Sequence, residues 1–269
     1  VQACGVSHTT VNAKDTHIPC QVEIKRLSKK IFQSFNTWAF KRQQPTEPGE
    51  LLRFVERAVT RSGPIHFVLY WGKGPRSTIA DPERDCLRFL SQMGERIRAE
   101  YPPGAHFTLI ATDTHATHNG HSASDIRCYF TDLAALATPY DFTLRYLSDI
   151  VDIHKDRLII AAPKAPTGLL DKLQPCAEKW YRGEGAVLDG AVQYYEMNMV
   201  EKQAVEMFFP HSIFVTFNNS QFRELFPELL PVFYMYSMRK GISVKPWFVD
   251  GGQTSAHQTE TFETAAVAG

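Results

Sequence analysis

A short apolar run, "IHFVLYW" (65–71), bounded by Gly-Pro before it and Gly-Lys-Gly after it, most constrains how this chain can fold. With almost no polar face to offer solvent, it reads as a strand buried on both sides. The segment "DPERDCLRFLSQMGERIRAE" (81–100) follows, with Leu87, Leu90, Met93 and Ile97 at helical spacing. Asp81 is its expected cap and Pro82 suits the first helical position. Glu83 and Asp85 favour the positive end of the helix dipole. "YPPG" (101–104) stops that helix, and "HFTLIAT" (106–112) is the next strand.

The same alternation is expected along the rest of the chain. Helices are predicted over 22–35, over 49–61, from Thr138-Pro139 through Val151, after "PKAPTG", and over 186–208. Further strands are predicted at "RLIIAA" (157–162), "SIFVTF" (212–217) and "ISVKPWFV" (242–249). Strands joined by crossover helices imply an α/β chain with a Rossmann-like, largely parallel sheet and helices on both faces. Residues 1–19 are polar and unpatterned and read as a flexible segment. Residues 20–250 read as one α/β catalytic domain, and 251–269, after Gly251-Gly252, as a disordered tail.

In such a sheet, ligands bind outside the carboxyl ends of the strands. The loops after residues 71, 112, 162 and 217 are therefore expected on one edge. They carry Lys73 and Arg76, Asp113 and His115, Lys164, and Asn218 with Asn219.

Composition narrows the partners. Lys plus Arg and Asp plus Glu number 29 each, so net charge is zero, with no basic run to suit nucleic acid or an anionic membrane. Small molecules are the expected partners. No apolar run approaches the ~18 residues of a membrane helix. The opening "VQACGVSHTT" lacks the regions of a signal peptide. The five cysteines, Cys4, Cys20, Cys86, Cys128 and Cys176, are scattered and include no Cys-x-x-Cys, which argues against a disulfide framework or a cysteine zinc site. A cytoplasmic location is the default expectation.

Three segments carry candidate chemistry. The loop "WGKGPRS" (71–77) has glycines that let backbone approach a ligand, and Lys73 and Arg76 offer charge to a phosphate or carboxylate. A lysine at a dry pocket edge also serves as a base or imine partner. The spacing fits neither a Walker A loop nor Gly-x-Gly-x-x-Gly, and alone the loop reads first as a polar turn. The segment "ATDTHATHNGHS" places Asp113, His115, His118 and His121 close together, a set that offers metal ligands, a proton relay or a polar loop. Asp113, at a strand's carboxyl end, is the strongest of these for a general base or an amine-binding carboxylate. "FVTFNNSQF" puts Asn218 and Asn219 after a strand, where they orient a substrate or simply turn the chain. "VFYMYSM" (232–238) is an aromatic run that lines a pocket or, more simply, fills the core. "YYEMNMVEKQAVEMFF" reads as a packed helix. There is no Gly-x-Ser-x-Gly elbow and no His-Glu-x-x-His.

The order of these segments over 64–249 resembles the amino-acid isonitrile (isocyanide) synthase family, which includes the pyoverdine/paerucumarin-cluster and spore-wall dityrosine enzymes. "VLYWGKGPRSTIADPERDCLRFL" is similar to the family's strand, Phe-Pro-x-Lys-Ser loop and helix start, with Lys73 at the lysine position. "ERIRAEYPPGAHFTLIATDT" is similar to its Tyr-x-Pro-Gly-Ala, strand and Ser-Asp-Gly, with Asp113 at the aspartate. "FFPHSIFVTF" and "RKGISVKPWFV" resemble two downstream segments. Gly74 stands at the motif serine, Thr114 at the glycine after the aspartate, and Phe248 where the family has histidine. The resemblance implies a modified Rossmann-like enzyme that condenses the amine of an aromatic L-amino acid with the ketone of ribulose 5-phosphate. Acid/base steps then leave one sugar carbon as the isonitrile carbon, and no metal or organic cofactor is needed. On this reading Lys73 and Asp113, at family positions, are expected to be catalytic together with His115, and Arg76, Trp71, Asn218 and Asn219 are expected to bind substrate. Two other readings stay open here: a metal-dependent enzyme built on Asp113, His115, His118 and His121, and a small-molecule-binding relative without catalysis.

Overall fold

In the computed structural model, residues 21–72, 78–158, 167–181, 183–220, 223, 226–236, 238–239 and 242–243 are described. Two helices lead, α1 (Gln21–Phe35) and α2 (Pro48–Thr60). Then β1 (Ile65–Trp71), α3 (Asp81–Glu100) and β2 (Ala105–Ala111) form the first crossover unit. Next come α4 (Asp113–His118), α5 (Ala123–Ala137), a 3-10 turn (Thr138–Tyr140), β3 (Thr143–Tyr146) and α6 (Leu147–His154). The remainder is α7 (Thr167–Trp180), α8 (Val187–Phe208), β4 (Ile213–Thr216), β5 (Val232–Tyr234), β6 (Met238–Arg239) and β7 (Ile242–Ser243).

Among the described residues the main sheet has five strands in the order β3-β2-β1-β4-β5, every neighbouring pair parallel. The expected α/β, Rossmann-like architecture is what the chain adopts. Strand alternation distributes the side chains over two faces. Phe67, Leu69, Trp71, Phe107, Leu109, Ile213, Val215 and Phe233 join the core under α1, α2, α3 and α5. Val68, Ile110 and Phe214 join Leu147, Ile150, Ala204 and Val205 of α6 and α8 on the other face. Each fully buried Leu or Phe of this kind contributes about 1.5–3 kcal/mol of transfer free energy.

Several local expectations are corrected. The strand β3 stands where a helix was expected. Thr138-Pro139 does not open a helix running through Val151, because the chain turns at Thr138–Tyr140, makes β3 and only then enters α6. Pairing with β2, through Thr108–Thr143 to Ala111–Tyr146, decides it. Arg157 and Leu158 lie in a turn after α6, and 159–162 fall outside the described residues. The aromatic run at 232–238 supplies β5, with Phe233 and Met235 fully buried. Ile242 and Ser243 pair antiparallel with β6 in a separate small sheet, and the rest of "ISVKPWFV" lies outside the described residues. α3 is capped by Glu83 rather than Asp81: its carboxylate accepts from the Ala80 backbone N–H at 3.0 Å. The expected flexible segment 1–19 and the tail 251–269 also lie outside the described residues.

Candidate active site

The strand order places a topological switch point between β1 and β4. From β1 the chain adds β2 and then β3 on one side, and afterwards β4 and β5 on the other. The crevice outside the carboxyl ends of two such strands is where open α/β sheets bind ligands. Gly72 leaves β1 at this crevice and Phe217-Asn218-Asn219 leave β4 beside it. Asp113 follows β2, whose last residue Ala111 is in register with Trp71. Three loops expected on one edge are therefore on one edge. Lys73 and Arg76 lie outside the described residues, as does Lys164.

Asp113 opens α4, and its carboxylate reaches across to the next crossover. It accepts from the Ser148 backbone N–H at 3.1 Å and from the Ser148 hydroxyl at 2.5 Å. It therefore closes the amino end of α6, where a negative charge is favoured by the helix dipole. It remains half-buried at the carboxyl edge of the sheet.

Two residues further along α4, His115 faces α8, where a polar stripe meets it. Tyr194, Asn198, Glu201 and Lys202 recur at the i, i+4, i+7, i+8 spacing of one helix face. Glu201 is 2% exposed and both of its oxygens are engaged, one by the Thr114 hydroxyl at 2.5 Å and one by His115 Nε2 at 2.7 Å. The His115 Nδ1 stands 3.4 Å from the Tyr194 hydroxyl, and Asn198 lies 3.3 Å from Nε2. The Tyr70 ring, from the end of β1, packs edge-on at 5.9 Å from the imidazole. Its hydroxyl is buried and has no hydrogen-bond partner among the described residues. Burial first, then the charges of Glu228 and Glu201, hold the Tyr70 phenol well above its ordinary pKa, so it stays a neutral donor. Tyr194 is pushed up in the same way, by burial and then Glu201 and Glu228.

Lys202 turns from the same helix face toward the segment after β4. Its ammonium donates to the Phe226 carbonyl at 2.7 Å and the Pro227 carbonyl at 3.0 Å, and lies 3.3 Å from Glu228. Arg223 pairs with the same Glu228 oxygen at 2.5 Å. Burial, more than any neighbouring charge, lowers the Lys202 pKa to about 8.

The sequence candidates separate on this geometry. Asp113 and His115 share α4, but the first faces α6 and the second faces α8. Asn218 and Asn219 stand half-buried at the end of β4, the Asn218 N–H held by the Thr216 hydroxyl at 3.1 Å. Trp71, expected to touch substrate, is instead fully buried on the α3/α5 side of the sheet. Its indole N–H donates to the Tyr129 hydroxyl at 3.1 Å, which donates to Glu83 at 3.0 Å. Strand alternation puts its neighbour Tyr70, not Trp71, on the face with the polar cluster.

The three histidines do not converge. His115 is taken by Glu201, and His118 donates from Nε2 to the Gly190 carbonyl at 3.0 Å. Among the described residues no group of three or more His, Cys, Asp or Glu is arranged to hold a metal ion. Sequence reading missed Tyr70, Tyr194, Asn198, Glu201 and Lys202. The available signal was the polar stripe within "YYEMNMVEK", on a helix too apolar elsewhere to be solvent-facing. A cavity of about 330 Å³ opens at the opposite, amino edge of the sheet among His66, His106, Thr143 and Arg145. Among the described residues no helix is long and apolar enough to cross a membrane.

The fold defines a Rossmann-like α/β chain, with a candidate site at the carboxyl ends of the central strands. One solved structure shares the fold. The PvcA protein from Pseudomonas aeruginosa superposes with a TM-score of 0.56 at 16% identity, over 82% of this chain and 88% of its own. Leishmania major tyrosyl-tRNA synthetase in complex with tyrosinol gives a TM-score of 0.46 at 11% identity, over 85% of this chain but 35% of its own. The same synthetase in complex with fisetin gives 0.44 at 12% identity, over 88% and 38%. No protein-family model and no curated protein sequence matches the chain. The likeness to PvcA is one of fold.

Proposed function

We propose that this chain is an isonitrile-synthase-like enzyme, which condenses the amine of an aromatic L-amino acid with a pentulose phosphate such as ribulose 5-phosphate in secondary-metabolite biosynthesis. One observation carries the reading. Two segments that resemble that family, those following Trp71 and Ala111, leave adjacent parallel strands in register, on the edge that holds the switch point. The fold shared with PvcA supports it.

In this reading Lys73 handles the sugar carbonyl or its imine, and Arg76 holds the phosphate or carboxylate. Asp113 receives the amine and His115 moves protons. Asn218 and Asn219, across the switch point, orient the substrate. No metal or organic cofactor enters the scheme. The amino acid, the sugar phosphate and the cytoplasmic setting are parts of this proposal.

The test is direct. The protein is incubated with ribulose 5-phosphate and each of a panel of L-amino acids, tyrosine and tryptophan first, and products are followed by mass. Loss of the free amine with appearance of an isonitrile mass is expected. No amine consumption across the panel refutes the reaction, and binding without turnover identifies a non-catalytic relative. Full turnover by Lys73→Ala refutes the role of Lys73 alone.

A further inference from the structure

We propose that Glu201 is the positioning residue of His115: it holds the imidazole as the Nε2–H tautomer and leaves Nδ1 as the proton-accepting atom of the site.

The argument starts from the short contact. An ionised carboxylate only accepts hydrogen bonds, so the 2.7 Å approach of Glu201 Oε2 to His115 Nε2, much closer than the 3.3 Å approach of Asn198 Nδ2 to the same nitrogen, favours the proton on Nε2. In the neutral ring Nδ1 then carries the lone pair. The Tyr194 hydroxyl marks that side, at a loose 3.4 Å. Glu201 is itself pinned, since its other oxygen accepts from Thr114, the residue before His115 on α4. The carboxylate thus grips α4 at two consecutive residues and fixes both the place and the rotation of the ring. A buried carboxylate is costly to maintain unless fully bonded, and Glu201 meets that condition through Thr114 and His115. The His115 side chain keeps 13% exposure against 3% for Glu201, so the imidazole, not the carboxylate, is the open end of the pair. The Tyr194 hydroxyl stands on the Nδ1 side as a donor beside the acceptor, and the Tyr70 ring packs edge-on against the imidazole.

This deepens the proposed function and takes its substrate class from that reading. An amino acid arrives as its ammonium ion, which cannot attack a ketone. Nδ1 accepts one ammonium proton, the electron pair stays on the substrate nitrogen, and the ring becomes imidazolium. Glu201 stabilises the imidazolium without itself being protonated. His115 touches the substrate in this scheme, whereas Glu201 acts only through His115.

The hydrogen-bond arrangement can be tested without any substrate. Protein with ¹⁵N-labelled histidine is compared with His115→Gln to assign the ring among the ten histidines. The wild-type ring is expected to carry its proton on Nε2 alone, and Glu201→Ala to give a mixture of tautomers. Glu201→Gln, which keeps an acceptor oxygen in place, should retain the Nε2–H form. A wild-type ring protonated on Nδ1, or tautomers unchanged in Glu201→Ala, overturns the proposal. The second arm measures turnover with the amino-acid and sugar-phosphate panel. Glu201→Gln should lose about 10²-fold in kcat with KM little changed, the usual reach of a general base and its support. Equal kcat in wild type and Glu201→Gln also overturns it. If no panel substrate turns over while the tautomer result is as expected, the proposed reaction fails and the His115–Glu201 assignment stands.

Discussion

Replacing Lys202 with Met tests whether the segment after β4 is held by a buried charge whose cost depends on pH. Lys202 is 2% exposed and spends its three ammonium protons on the Phe226 carbonyl, the Pro227 carbonyl and Glu228. A pKa lowered from 10.5 to about 8 corresponds to roughly 3 kcal/mol against the folded state whenever both states are protonated. Burial is the main cause. Arg223 adds repulsion, and Glu228 offsets part of both. Below about pH 8 the folded protein bears this cost in full. Between 8 and 10.5 the unfolded chain binds a proton that the native state has released, so stability rises with pH. By about pH 9.5, some 2 kcal/mol has been recovered. The neutral amine still donates two hydrogen bonds, so the segment stays tethered. Lys202→Met has neither the charge nor the donors, and its packing loss is the same at every pH. Urea denaturation followed by tryptophan fluorescence, run on both proteins near pH 7 and 9.5, isolates the titration. The stability of wild type relative to Lys202→Met should grow by about 2 kcal/mol over that range. A difference that is flat or shrinks with pH refutes the picture of a desolvated, proton-bearing Lys202.

Other perturbations read other parts of the structure. Tyr129→Phe removes the hydroxyl that links Trp71 to Glu83 and should cost about 2 kcal/mol in chemical denaturation, since one of the two lost bonds is to a carboxylate. Gly104→Ala should cost about 1–2 kcal/mol, because the residue sits at φ +70° and an added Cβ comes within 3.2 Å of Arg98 Nε. Asp113→Asn should lose about 1 kcal/mol of stability through its weaker hold on Ser148 and the amino end of α6. In the proposed reaction it should also lose most turnover, and a variant that loses stability but keeps its rate would confine Asp113 to the capping role.

Much of the fold is legible in the sequence because burial leaves a periodic trace. β1, β2 and β4 are apolar runs between breakers, and α1, α2, α3 and α8 begin and end within a residue of where spacing places them. β3 is different. Thr143–Tyr146 is short and half-buried, with Arg145 exposed, so no run of apolar residues announces it. It is a strand because the edge of β2 was open and four residues pair there. Of the more apolar "RLIIAA", Arg157 and Leu158 turn and the rest lies outside the described residues. Pairing, not propensity, makes β3 a strand.

The sequence by itself determined which residues stand at the carboxyl edge. Once the strands are parallel, the residue after each strand is fixed by chain order, and Asp113, His115, Asn218 and Asn219 follow without further information. Only the tertiary structure decided what those residues face. It turned Trp71 to one face of the sheet and Tyr70 to the other by the alternation of a single strand, and split Asp113 and His115 between α6 and α8. It also brought Glu201, 86 positions further along, within 2.7 Å of His115. Local spacing carries the period of a helix or strand, but a hydrogen bond between α4 and α8 exists only after both have packed on the same sheet. The charge that orients His115 is therefore a property of the fold rather than of any motif.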